Sequence, residues 1–140
     1  MKDRYLFKAK RIDTGEWVEG FYFCMVHDDG RHIHHFIMPL GIDLSLGTPI
    51  EKIQVEIDEN TLCQYTGLTD KNGNKIWEND VVTIKGMVSI GKVLFDKESC
   101  SYSIRVGVGR YVRDIGRFEK EIEVIGNIFD TPGLLKGEGA

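Results

Sequence analysis

The sequence predicts a mainly β protein built from antiparallel sheets, with an α+β arrangement as the alternative. Three observations lead to this prediction. Turn-forming residues recur about every ten residues along the chain. The segments between the turns are short and rich in β-branched and aromatic residues, and only one segment has helical spacing over more than a single turn. Short strands between regularly spaced turns are typical of β-sandwiches and small barrels.

The apolar and β-branched runs predict most of the strands directly. They lie at residues 5–10, 17–23, 32–38, 53–57, 61–66, 81–85, 91–96, 102–108 and 124–129. Gly20 lies inside the second run, where it indicates a bulge or a close approach of two chains. Residues 39–49 are rich in Gly and Pro and are predicted to form a loop.

Turn chemistry separates these strands. Asp13 and Gly15 form the first turn, because aspartate bonds to its own backbone and glycine accepts positive φ. The strongest signal is the pair Asn72-Gly73, which predicts a two-residue hairpin loop of type I′.

One segment predicts a short amphipathic helix, within residues 111–122. Its apolar residues recur at intervals of three and four, although Gly116 weakens the helix. They are Tyr111, Val112, Ile115, Phe118 and Ile122. Thr131 and Pro132 predict one last helical turn, and residues 136–140 are expected to fray.

These elements predict one domain over residues 1–140. An N-terminal β lobe is expected at about 1–57 and a small, SH3-like, partly open barrel at about 58–130, followed by the short tail. A chain of 140 residues can bury a sizeable core without a disulfide or a metal.

The composition argues against several classes of function. The net charge is −4, which does not indicate a strongly basic nucleic-acid-binding protein. No apolar run is long enough to span a bilayer, and the N-terminal residues lack the apolar core of a secretory signal, so no membrane partner is expected. The three cysteines are widely spaced and form no CxxC pair, as expected in a reducing cytoplasm.

Residues 61–82 carry a distinctive motif, TLCQYTGLTDKNGNKIWENDVV. It resembles the QYTGL-x-DKNG-x-x-I-[aromatic]-E-x-D block of the YopX family, small proteins of bacterial phages and prophages. The hairpin at residues 9–20 and the EVIGNIFDTP segment at 123–132 are similar to the family's opening and closing elements. Asn79 stands where the family usually has Gly, and Asn also tolerates the left-handed conformation.

The resemblance implies a phage or prophage origin and a mostly β fold. It implies no biochemical role and carries over no catalytic or cofactor residues. The block itself is interpreted as strand, hairpin turn and strand, which favours a folding element over a binding site.

The histidines are the first candidate cluster. On a strand, His32 and His34 share a face, and two imidazoles there could hold two corners of a zinc site if Cys24 or His27 joined them. A structural site needs four ligands at characteristic spacings, which this segment lacks. We therefore expect no metal and no cofactor.

The arginines are the second candidate cluster. Four of them surround two aromatic residues and give residues 105–118 a local charge of +3. They are Arg105, Arg110, Arg113 and Arg117. Guanidinium groups beside aromatic rings suit phosphates and bases, although exposed arginines are common on surfaces.

No nucleophile–base order, P-loop or dinucleotide fingerprint is visible, so we expect no enzyme. The favoured function is a non-catalytic protein-interaction module in the bacterial cytoplasm, whose partner is a host protein, a phage protein or another copy of itself. The alternative is a β-barrel that binds nucleic acid through the arginine cluster.

Overall fold

The computed structural model describes residues 2–135, and the chain divides into two compact units, residues 1–64 and 65–140. Both units are built mainly from antiparallel strands, so the predicted mainly β class is confirmed. The tail predicted to fray, residues 136–140, lies outside the described residues.

The first unit contains an antiparallel sheet in the order β4-β3-β2-β1-β5. The strands are β1 (Phe7–Lys10), β2 (Trp17–Val26), β3 (Ile33–Pro39), β4 (Val55–Glu56) and the beginning of β5 (Cys63–Thr69). Helix α1 (Ile50–Ile53) precedes β4, and 3-10 turns occupy Lys2–Tyr5 and Glu59–Thr61. The predicted strand at 53–57 therefore begins two residues late, after a single helical turn.

One face of this sheet packs a small core. Ala9, Ile37 and Ile57 are almost completely buried there. Gly20 lies between β1 and β3 in the sheet, where a Cβ would come 1.9 Å from the carbonyl oxygen of Met38. The close approach predicted at Gly20 is therefore confirmed.

The second unit contains a five-stranded antiparallel sheet in the order β10-β9-β8-β7-β11. These strands are β7 (Asp80–Ile84), β8 (Gly91–Asp96), β9 (Ser101–Val106), β10 (Arg110–Val112) and β11 (Ile122–Asn127). The rest of β5 pairs with β6 (Lys75–Trp77), and a 3-10 turn, Pro132–Leu135, follows β11. The edge strands β10 and β11 do not pair within residues 2–135, so the sheet is open, as predicted.

Buried aliphatic residues form the core of the second unit. They are Ile76, Val82, Ile84, Val93, Ile104, Val106, Ile115 and Ile122.

The helix predicted within residues 111–122 is wrong. Arg110–Val112 forms β10, and only two 3-10 turns follow, at Ile115–Arg117 and Glu119–Glu121. Asp114 adopts the left-handed conformation with φ of 56°, which a continuous helix does not allow. The three-and-four spacing arises instead because Ile115 and Ile122 reach the core from separate elements.

The hairpin at Asn72-Gly73 forms, but not as type I′. That turn requires positive φ at both central residues, and among the described residues here only Gly73, at 82°, has it. The loop is longer than two residues, and Asp70 caps it. The Oδ1 atom of Asp70 accepts hydrogen bonds from the N–H groups of Asn72 and Asn74, each at 2.9 Å.

The family-like block thus acts as a folding element in the second unit. Asp70 is only 1% exposed, and its Oδ2 accepts a further hydrogen bond from the N–H of Val124 on β11 at 3.0 Å. Burial alone would raise the pKa of Asp70, but these backbone N–H donors hold it below its ordinary value. Asn79 has φ of 73°, so the left-handed conformation expected there is confirmed.

Candidate functional site

On the second face of the first unit's sheet, β2 and β3 carry several large apolar side chains. Because facing residues in an antiparallel pair share a face, the register Phe21↔Met38 and Phe23↔Phe36 places four large apolar side chains together. Met25 continues the row, Leu40 extends it beyond Met38, and Ile50 lines a cavity with Phe36. We call these seven residues the apolar face: Phe21, Phe23, Met25, Phe36, Met38, Leu40 and Ile50.

Much of the apolar face is exposed. The exposed fractions are 46% for Phe21, 44% for Met25, 47% for Leu40 and 56% for Ile50. The rings of Phe23 and Phe36 stack with centroids 5.3 Å apart and are partly exposed. The solvent-facing side of an antiparallel sheet is commonly polar, so this face resembles a surface that another molecule covers.

A polar group borders the apolar face at the tip of the β2–β3 hairpin. The Nε2 atoms of His27 and His34 lie 2.8 Å apart, and Nδ1 of His34 lies 2.8 Å from a carboxylate oxygen of Glu56. These histidines help to line a cavity of about 340 Å³ that also includes Met25 and Phe36. The cavity can accommodate an apolar side chain next to hydrogen-bonding imidazoles.

His35 and Cys24, two other potential metal ligands, lie on the opposite face of the sheet from His34. His35 lies on the opposite face, between the hydroxyl of Tyr22 at 2.6 Å and a carboxylate oxygen of Glu59 at 2.7 Å. Cys24 faces His35 across the strands and so cannot join His27 and His34. Within residues 2–135, no three His, Cys, Asp or Glu side chains are placed to hold a metal ion, and the absence of zinc binding stays a prediction.

The predicted arginine cluster is only partly assembled. Arg105 on β9 faces Tyr111 on β10, so both lie on one face of the sheet. The Arg113 guanidinium lies 5.9 Å from the Tyr111 ring centroid, and its Nε donates a hydrogen bond to Asp96 at 3.3 Å. Arg110 precedes Tyr111 and therefore points to the other face of β10.

Arg117 ends the 3-10 turn Ile115–Arg117 and is not part of the β9–β10 register. The pairing of Arg113 with Asp96 has an electrostatic consequence. Hydrogen bonds from Ser99, the Glu98 N–H and Arg113 keep the pKa of Asp96 below its ordinary value, although partial burial opposes the shift. The carboxylate thus stays charged at neutral pH and neutralises part of the local positive charge.

Sequence reasoning missed two features of these surfaces. Lys92 lies directly opposite Arg105, on the face of Tyr111, but the pairing of β8 with β9 is needed to see it. The apolar face was missed because only the pairing of β2 with β3 brings its residues together. A signal was present, however: β2 is apolar at both parities over most of its length, which indicates that both faces are covered.

Taken by fold and surface, the chain is a two-unit, mainly β protein that exposes an apolar sheet face. None of the helices described within residues 2–135 has the length and apolarity to cross a bilayer. The chain belongs to the YopX family, whose model, described as YopX protein, matches residues 9–136.

A solved structure supports the fold. Protein EF1440 from Enterococcus faecalis is similar with a TM-score of 0.55 at 22% sequence identity, over 92% of this chain and 96% of that one. No match was found among curated proteins. The likeness to EF1440 concerns the fold alone.

Proposed function

We propose that this chain is an accessory protein of a bacteriophage or prophage that acts in the bacterial cytoplasm as a non-catalytic protein-interaction module. Membership of the YopX family supports the phage setting, and three free, separate thiols fit a reducing compartment.

The observation that carries the proposal is the exposed apolar face. Aromatic and Met side chains are enriched at protein interfaces, and Met adapts to differently shaped partners. The apolar face supplies both, with Phe21 and Met25 about half exposed and the stacked pair Phe23–Phe36 between them. The β2–β3 register fixes the backbone positions from which these side chains project, which lowers the entropy cost of binding.

Capture of partners from host cells, with and without phage infection, tests the proposal. Phe21→Glu places a charge at the centre of the apolar face and should abolish capture, because a desolvated charge opposes apolar association. Phe95→Glu is the matched control, since Phe95 is 42% exposed and belongs to the other unit. Equal capture by wild type and Phe21→Glu would contradict the proposal.

A second candidate function is nucleic-acid binding by the second unit. The row Lys92–Arg105–Tyr111 crosses three adjacent strands, with Arg113 beside the Tyr111 ring. This arrangement favours contact with phosphates and one stacked base. The divergence of Arg110 and the pairing of Arg113 with Asp96 make it the weaker candidate.

A further inference from the structure

We infer that the apolar face packs against the same face of a second copy of this chain, forming a symmetric dimer. This inference rests on the proposed function and names its partner. Three observations carry it: the charge, the shape and the size of the face.

The first observation is the charge of the surface. None of the seven side chains of the apolar face is charged. The same sheet face also carries two carboxylates: Glu56, directly opposite Phe36 and 2.8 Å from His34, and Glu19, opposite Lys8 on β1. Each of these carboxylates lies beside a basic side chain of its own chain, so two copies can meet there without an isolated like charge on either face, although each copy carries a net charge of −4.

The second observation is the shape of the surface. The apolar face is the side of a paired antiparallel sheet, and Phe21, Phe23 and Met25 stand out from one strand on it. Two such faces pack against each other at a separation of about 10 Å, with their side chains interdigitating. A sheet face is thus a natural complement to another sheet face of the same composition.

The third observation is the size of the surface. An aromatic side chain can bury roughly 150–250 Å², and Met, Leu and Ile side chains are somewhat smaller. With four members about half exposed and three partly exposed, the apolar face offers on the order of 500 Å² of apolar area. A standard interface buries about 800 Å² per partner, of which about 65% is apolar in homodimers, so the two estimates agree.

A twofold axis would relate the two copies in this arrangement. In an isologous contact the same patch serves both partners, so each residue of the face meets a residue of the same face. A sheet face whose large side chains are mostly apolar meets that requirement without any second specialised surface. The hairpin histidines, His27 and His34, would then form part of the polar rim.

Sedimentation velocity of the full chain over a range of micromolar concentrations tests the inference. Wild-type protein should dissociate on dilution, and Phe21→Glu should weaken the dimer by about 30-fold or more, as expected for a central anchor. Phe95→Glu, at a similarly exposed phenylalanine outside the apolar face, should leave the dimer unchanged. As a readout that needs no variant, isotope-filtered NMR on mixed labelled and unlabelled wild-type protein should show contacts between the Met25 methyl group and aromatic rings of the other copy.

A wild-type chain that stays monomeric at every concentration, or a dimer that Phe21→Glu leaves intact, would overturn the inference. If the chain is monomeric but Phe21→Glu still abolishes capture of a host or phage protein, only the choice of partner is wrong. If Phe21→Glu changes neither association, the proposed function fails as well.

Discussion

The carboxylate of Asp70 accepts a hydrogen bond from the backbone N–H of Val124 at 3.0 Å, across 54 positions of the chain. The same carboxylate caps its own hairpin through Asn72 and Asn74. Two family-like segments, the DKNG turn and the EVIGN strand, are therefore joined by a single buried side chain. This contact gives Asp70 and the two segments a structural role.

Asp70→Asn should destabilise the second unit by about 1–3 kcal/mol. The amide keeps one acceptor oxygen but turns a donor toward an N–H group that the carboxylate satisfied, either at Val124 or in the hairpin. Urea denaturation followed by tryptophan fluorescence measures the loss. Asp58→Asn is the matched control, because Asp58 is an exposed N-cap of a 3-10 turn and asparagine caps equally well.

The contribution of Asp70 should also depend on pH. Its pKa is lowered in the folded state, so the folded protein binds the proton less tightly than the unfolded chain does. The stabilisation should be complete well above the unfolded pKa of about 3.9 and should be lost as pH falls through the lower folded pKa. The difference in free energy of unfolding between wild type and Asp70→Asn should therefore shrink in acid, and a difference that grows there would contradict this assignment.

Asn79 should tolerate glycine better than alanine. Its φ of 73° lies in the left-handed region, which disfavours a Cβ-bearing residue by roughly 1–2 kcal/mol. We expect Asn79→Ala to lower the free energy of unfolding by about that amount relative to Asn79→Gly. Thermal denaturation of the two variants checks this, and equal stabilities would show that the backbone relaxes at this turn.

The wild-type chain should show no salt-sensitive binding to mixed single- or double-stranded DNA at about 0.15 M salt. Its net charge of −4 opposes a polyanion, and Asp96 neutralises Arg113. Two triple-alanine variants distinguish the possible surfaces if DNA is retained. One removes Arg110, Arg113 and Arg117, and the other removes Lys92, Arg105 and Arg113.

DNA binding that falls with salt and disappears only in the second variant would favour the nucleic-acid function on the β8–β10 face. If DNA is not retained, the first variant should still bind any protein partner, because its substitutions lie outside the apolar face.

Local rules predicted the parts of the fold that depend on neighbouring residues. Strand alternation predicted the sheets, and Gly20 predicted a bulge or a close approach, while the left-handed conformation at Asn79 was expected from the glycine that the family usually has there. The predictions failed where contacts between distant parts of the chain determine the structure. Spacing alone could not show that Ile115 and Ile122 reach one core from a turn and a strand.

The same contrast between local patterns and distant contacts applies to the candidate sites. The +3 segment located Arg105 and Arg113, but only the strand register separates Arg110 from Tyr111 and brings in Lys92. Likewise, the apolar face requires β2 and β3 to be paired before Phe23 and Phe36 become neighbours.

The central claim is that another protein surface covers the apolar face. Hydroxyl-radical footprinting tests this directly by comparing the unaltered chain, dilute and purified, with the same chain at high concentration or in host extract. Oxidation of Phe21, Met25 and Phe36 should fall at high concentration, in host extract or in both, while oxidation of Phe95 should not change. Equal oxidation of the apolar face in all three conditions would contradict it.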